Sequence, residues 1–212
     1  MVITAINKKD DNNFIIHLDN GDKLYLSLEV FMKNGLRKGD EISEDRFAFF
    51  VRENQKYFVR LSALRFIANR LHSSRELNTK LLKKKYDKEI VAEIVADLSS
   101  KGLINDFDFA LAYAGENVRN KQWGKNKIKA GLFQKGVASQ IIDKVLEGFF
   151  AEDDELDNAV RLAQKKKNIL VKRNMDEQKL KQKLITFLIS RGYSYELAKN
   201  ALYKMSLPVD DE

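Results

Sequence analysis

The sequence predicts a mainly α protein: three tandem three-helix repeats in an elongated array, preceded by a small N-terminal α+β module. Three observations carry that prediction. An apolar pattern recurs three times between Leu77 and Met205, residues 1–60 differ in texture from the rest, and a single proline leaves room for long helices. The recurrence sets Leu77, Leu81, Ile90, Val91, Ile94, Val95 and Leu98 beside Ile128, Leu132, Ile141, Ile142, Val145, Leu146 and Phe149. Leu184, Leu188, Leu197, Ala198, Ala201, Leu202 and Met205 form the third copy. Each copy has two apolar residues four apart, a gap, then apolar pairs recurring every four. Lys135-Gly136 and Arg191-Gly192 fill two of the gaps, and Lys84-Lys85 fills the first. A helix, a tight turn and a second helix follow from that spacing. One such hairpin cannot bury both of its stripes, so the copies must stack on their neighbours.

Residues 1–61 form the α+β module. Val2–Ile6, Phe14–Leu18 and Lys23–Leu26 are short β-type runs, with Asp19-Asn20-Gly21-Asp22 as a hairpin turn. Ser27 caps a short helix to Asn34, Leu36–Asp40 holds a second glycine turn, and Ser43 with Arg46, Phe47 and Phe50 suggests another helix. Tyr57-Phe58-Val59 either pairs with the sheet or leads straight into helix. Repeat 1 spans 62–104. Ala63–Arg70 opens it, Ser73 or Ser74 caps the helix carrying Leu77 and Leu81, and Asp87 caps the next until Lys101-Gly102 stops it. Repeat 2 spans 105–151, with Asn105 or Asp106 starting its first helix, a break at Trp123-Gly124, and a last helix from about Ser139 to Phe150. Repeat 3 spans 152–207, opening on the acidic Glu152–Asp157, which the helix dipole favours, with Asp176 and Ser194 as later caps. Residues 208–212 are an acidic tail.

The bulk numbers exclude several classes. Zero cysteines rule out a disulfide framework and a thiolate metal site and fit a reducing, cytoplasmic setting. No apolar run reaches the ~20 residues of a membrane span, and the start lacks a signal-peptide core. Enzyme templates are missing: there is no phosphate loop, no nucleophile elbow and no His-Glu-x-x-His pair. His17 and His72 stand in different modules and read as surface or boundary residues. Asp106 and Asp108 point to different sides of a helix, and the acidic cluster at 152–157 lacks the glycine and spacing of a calcium loop. The expectation is a protein with no catalytic residues, no cofactor and no metal.

Charge placement says more. The net charge of +7 is concentrated in residues 61–150, where 16 basic residues face 10 acidic ones, while 1–60 are balanced at 10 each and the remainder has 12 against 11. Arg75, Lys80, Lys83, Lys84 and Lys85 lie on or just after the second helix of repeat 1, and Arg119, Lys121, Lys125, Lys127 and Lys129 surround the Trp123-Gly124 break. Lys125 and Lys129 share a helix face opposite Ile128 and Leu132. Stacked repeats would align such clusters into a stripe suited to a polyanion or an acidic protein groove. Trp123 has two readings, stacking on a base or packing the joint between repeats, and its place beside Gly124 favours packing.

Lys101–Ala110, reading KGLINDFDFA, resembles the G-[YL]-I-[DN]-D-x-x-[FY]-A segment of RecX-type regulators of the RecA recombinase. Gly102, Asp106, Phe109 and Ala110 are its matching positions. Trp123-Gly124-Lys125-Asn126-Lys127-Ile128, followed by Leu132–Val137 with Gly136, is similar to their G-x-x-[RK]-[IL]-x-x-x-L-x-x-K-G-[IV] segment. Arg70–Leu77 matches the R-x-x-S-x-x-E-[LV] opening, and Arg191-Gly192-Tyr193 keeps an R-G-[FY] step in a more divergent third repeat. Asn105 stands where an acidic residue is common. The resemblance implies a monomeric, non-enzymatic modulator that binds RecA within the groove of RecA–DNA filaments. It implies restraint of recombinase, ATPase and co-protease activity, in DNA repair, recombination and the SOS response. Direct binding to single- or double-stranded DNA without RecA is the alternative.

Overall fold

A computed structural model describes residues 1–150, 152–172 and 176–207, with the side chains of 152–154 left out. The expected acidic tail at 208–212 lies outside the described residues. These residues form three strands and ten helices. The chain divides into two compact units: Met1–His72 with Glu76–Ile104, and Ser73–Arg75 with the chain from Asn105 onward.

The first unit begins with an antiparallel sheet of order β1-β2-β3, formed by Ile3–Asp10, Asn13–Leu18 and Lys23–Ser27. Phe14 sits opposite Leu26 and Ile16 opposite Leu24. Leu24 and Leu26 are buried while Tyr25 between them is exposed, the period-2 signature of a sheet with one covered face. Ser27 ends β3 and caps α1 (Leu28–Asn34) by accepting from the Val30 amide, and Gly35, in left-handed backbone, terminates that helix.

Ser43 opens α2, which runs unbroken over Glu44–Asn69. Tyr57-Phe58-Val59 is therefore helix, and the segment boundary expected at 61/62 falls within α2. One helix serves two cores. Its Phe50 packs with Ile3, Ile16, Leu24 and Ile42 under the sheet, whereas Val59 and Ala63 pack with Leu77, Leu81, Ile90 and Ile94. Asn54 braces β3 by donating to the Tyr25 carbonyl and accepting from the Ser27 amide. Helix α4 (Lys88–Ser100) packs on α2 and is joined to it through Arg52–Glu93, Lys56–Glu93 and Arg60–Asp97 ion pairs. Its N-cap is Asp87, as expected, and α3 (Ser74–Lys83) precedes it.

In the second unit, α5 (Asp106–Lys121), α6 (Lys125–Gln134) and α7 (Ser139–Phe149) enclose Phe109, Ala110, Ile128, Leu132, Ile142 and Leu146. A separate core is enclosed by α8 (Glu152–Val171), α9 (Glu177–Ser190) and α10 (Tyr195–Lys204), around Leu162, Leu184, Leu188, Ala198 and Leu202. Asn105 caps α5, and Asp176 and Ser194 cap α9 and α10. Each buried pair ending a second helix is followed four residues later by left-handed backbone, at Lys85, Gly136 and Gly192.

Two outcomes follow. Leu132→Ala or Leu188→Ala, each at a fully buried site, should cost about 2–5 kcal/mol in urea unfolding, whereas Lys129→Ala should stay within about 0.5 kcal/mol. Removing residues 1–61 takes away Val59 and most of α2, so that fragment should melt below the intact chain by calorimetry.

Candidate interaction surface

The break at Trp123 is built from both sides of the sequence. Helix α5 ends as Gln122 takes left-handed backbone (φ 50°), and Gly124 occupies the N-cap position of α6 without offering a side chain. Its amide hydrogen goes instead to the Arg191 carbonyl at 2.9 Å, the next amide, of Lys125, donates to Glu155 Oε1 at 3.0 Å, and that of Asn126 to the Gly192 carbonyl at 3.1 Å. The first amides of α6 are thus satisfied by the third three-helix domain rather than by water or a bound anion.

The same arrangement occurs a second time within this unit. Ser73 Oγ donates to the Lys135 carbonyl at 2.6 Å, and the Ser74 amide donates to Asp106 Oδ1 at 2.7 Å. Lys135 and Arg191 each precede a turn glycine, and in both places that glycine is closely covered. A Cβ on Gly136 would lie 2.1 Å from Arg75 Cδ; one on Gly192 would lie 2.4 Å from Lys127 Cβ. At Gly124 it would lie 2.7 Å from the Gly192 carbonyl carbon. Each joint therefore combines a carboxylate on the first helical amide, a donor to the carbonyl before the turn glycine, and backbone packed where a side chain cannot fit.

Around the joint at Trp123 the structure gathers cations. Lys121 Nζ lies 4.6 Å and Lys127 Nζ 5.0 Å from the Trp123 ring centroid. Trp123 is half-buried at the margin of the second domain's core, so it packs the joint and also receives these ammonium groups. Lys127 Nζ donates to the Ser190 carbonyl at 2.7 Å, at the negative end of α9. Tyr193 donates to the Gln122 carbonyl, and burial, with Glu155 nearby, pushes its phenol up to about 12, which keeps the donor proton in place.

Of the predicted basic residues, Lys121 and Lys127 meet on Trp123. Lys125 and Arg119 are exposed nearby, and Lys129 is exposed but pairs with Asp143 at 2.8 Å. Arg75 is exposed and lays its stem over Gly136. In the first unit Lys83 is exposed, while Lys80 and Lys84 each lie 5.1 Å from the Phe66 ring. Charge counting missed Arg191 and Lys166. Arg191 donates to the Lys121 carbonyl and, with Lys166, lies over Phe187. The signals were present, in the Arg-Gly step of repeat 3 and the Lys165–Lys167 run, but nothing local ties them to residue 121. Among the motif residues, Gly102 takes left-handed backbone after α4, Asp106 supplies a joint carboxylate, and Phe109 and Ala110 are core.

His72 departs from the expected surface or boundary position: it is buried. Its Nδ1 donates to the Arg70 carbonyl at 2.8 Å, leaving Nε2 to accept from Lys80 at 2.7 Å. Burial, aided by the charges of Arg70 and Lys80, holds its pKa below the ordinary histidine value against the hydrogen bond to the Arg70 carbonyl and the pull of Glu76. Among the described residues no group of three or more acidic or histidine side chains is placed to hold a metal ion, and no helix is long and apolar enough to cross a membrane.

Comparison with known proteins places these features. Models of the first, second and third three-helix domains of RecX match residues 60–98, 105–146 and 152–202. The chain is 32% identical over 189 residues to the regulatory protein RecX of Clostridium acetobutylicum, covering 89% of this chain and 87% of that one. It is 30% identical over 201 residues to that of Clostridium perfringens strain 13, covering 95% and 93%. A crystal structure of regulatory protein RecX shares the fold with a TM-score of 0.74 at 24% identity, covering 92% of this chain and 96% of that one. RecX from Lactobacillus salivarius does so with a TM-score of 0.65 at 22% identity, covering 73% and 99%.

The joints and the histidine each yield a test. Gly192→Ala forces a methyl against Lys127 and strains left-handed backbone, whereas Gly102→Ala, with open space around it, incurs the strain alone. The first should cost at least about 2 kcal/mol and the second about 1 kcal/mol in chemical denaturation. His72 binds protons less readily folded than unfolded, so its contribution is constant above about pH 7 and destabilises as pH falls through about 6.5. His72→Gln should remove that part of the acid-side loss, read as a smaller fall in urea midpoint between about pH 7.5 and pH 5.5.

Proposed function

Because the chain belongs to the RecX family, we propose that it is a regulator of RecA that binds RecA–DNA filaments and inhibits their recombinase, ATPase and co-protease activity without catalysing a reaction itself. The observation that carries this reading is the arrival of Arg191, at the end of α9, beside Lys121, Lys125 and Lys127, which flank the Trp123 break. The Lys127 and Arg191 side chains are already hydrogen-bonded within the joint, so the exposed side chains of Lys121 and Lys125 are the part of it left for a partner. A concentrated positive face draws a polyanionic assembly into encounter over a distance of roughly a Debye length. The arrangement supplies charge and shape, and the work assigned to it is binding.

A second reading, direct sequence-independent binding to nucleic acid, draws support from the half-buried Trp123 with two ammonium groups beside its ring, since a base can stack on such a ring. Binding to phosphates alone collapses between low and moderate salt, while protein contact retains a component.

Reversal of charge tests the assignment with the fold preserved. Lys127 is unsuitable, because its ammonium holds the Ser190 carbonyl and its stem covers Gly192. The double variant Lys121→Glu/Lys125→Glu changes exposed side chains only. Co-sedimentation with cognate RecA filaments on single-stranded DNA should weaken at least about tenfold with an unchanged melting curve. Unchanged co-sedimentation would move the working face elsewhere.

A further inference from the structure

In the first unit, buried His72 meets Lys80 of α3. Its Nδ1 donates to the Arg70 carbonyl at 2.8 Å, and its Nε2 lies 2.7 Å from Lys80 Nζ. The backbone carbonyl holds the tautomer protonated at Nδ1, so the lone pair on Nε2 is aimed at the lysine nitrogen. A nucleophile within about 2.6–3.2 Å of a base, with that base oriented by a third group, is the arrangement that activates an amine for attack on an acyl carbon. Other hydrogen-bonded lysines of this chain, such as Lys56, Lys101 and Lys129, meet carboxylates, which favour the charged, unreactive ammonium. A neutral imidazole offers no such charge and can accept a proton.

The surroundings fit a small, anionic acyl donor. Lys80 is half-buried, and its Nζ and that of exposed Lys84 each lie 5.1 Å from the Phe66 ring centroid. Glu76, the carboxylate on the same helix, receives both guanidinium nitrogens of Arg70 at 2.9 Å, so its charge is matched there. Lys84 can therefore serve as a point charge for a phosphoryl group. We infer that Lys80 is an acyl-acceptor site, modified by acyl phosphates with His72 as the general base. The neutral amine of Lys80 attacks the acyl carbon, and the C–N bond forms as the acyl–oxygen bond to phosphorus breaks. The proton shed by the nitrogen passes to His72 Nε2 and then to solvent, and inorganic phosphate leaves. Each lysine reacts once, so the event is a modification of this chain and not a turnover reaction. It removes one positive charge from the basic stretch at Lys80–Lys85. This inference stands apart from the choice of binding partner.

The test incubates the intact protein with acetyl phosphate and follows initial acetylation rates site by site through peptide mass spectrometry. Exposed Lys83 and Lys88 are the internal references. At pH 8 Lys80 should react at least about tenfold faster than either, and His72→Gln should abolish that preference while the references keep their rates. A wild-type pH series supplies a readout that no variant can confound. The charged groups facing His72 are Arg70, just after α2, and Glu76 and Lys80 on α3, and His72 titrates below the ordinary value of about 6.5. The ratio of Lys80 to Lys83 acetylation should therefore hold above about pH 7 and fall as pH drops below about 6.5, where the base becomes protonated. Lys80 reacting no faster than Lys83 and Lys88 would overturn the inference. So would a preference that survives in a His72→Gln variant with a normal melting curve, or a wild-type ratio that does not change with pH.

Discussion

The close approach of backbone to backbone at Gly124 and Gly192 is the constraint on which the second compact unit depends. No side chain fits between them, and three amides at the start of α6 find their acceptors only because that gap is closed. A helix terminus normally relies on a side-chain cap, and here a neighbouring domain takes over that role. The second joint, with Ser73, Ser74 and Asp106 against the turn at Lys135-Gly136, uses the same chemistry with a hydroxyl replacing the glycine amide.

The joint also decides where charge is displayed. Lys121 ends α5, Lys127 lies in the first turn of α6 and Arg191 closes α9, and the docking of α9's turn on α6 brings Arg191 to the other two. Lys127 takes part in both tasks, since its stem packs on Gly192 while its ammonium reaches the Ser190 carbonyl and Trp123. Structure and surface are not separable at that residue, which is why charge alone is a poor guide to which lysines a partner uses.

Much of this was legible in the sequence because it is local. The three apolar stripes, the Ser27, Ser43, Asp87 and Asp176 caps and the glycine turn after β2 need only a few neighbouring residues to be read, and each forms as expected. The threefold repeat showed that domains must stack but not how. Lys85 makes the point: it holds the same left-handed backbone as Gly136 and Gly192 with a full side chain, so backbone angle alone does not demand glycine there. What demands it at the other two is crowding by residues about sixty positions away. The unbroken course of α2 was hidden for a similar reason, since Phe50 and Val59 serve different cores and the helix shows no single apolar stripe. His72 is buried by contacts with Arg70 and Lys80 that no spacing rule reveals.

The central claim is that a joint-built, cation-bearing face acts on RecA assembled on DNA. Steady-state ATP hydrolysis by cognate RecA on single-stranded DNA, titrated with the intact wild-type protein at low and at moderate salt, tests it most directly. Hydrolysis should fall to a plateau as protein is added, and the fall should persist at a salt concentration where binding to bare single-stranded DNA has been lost. Hydrolysis that stays constant at every protein concentration, or that falls only where bare DNA is also bound, would contradict the account.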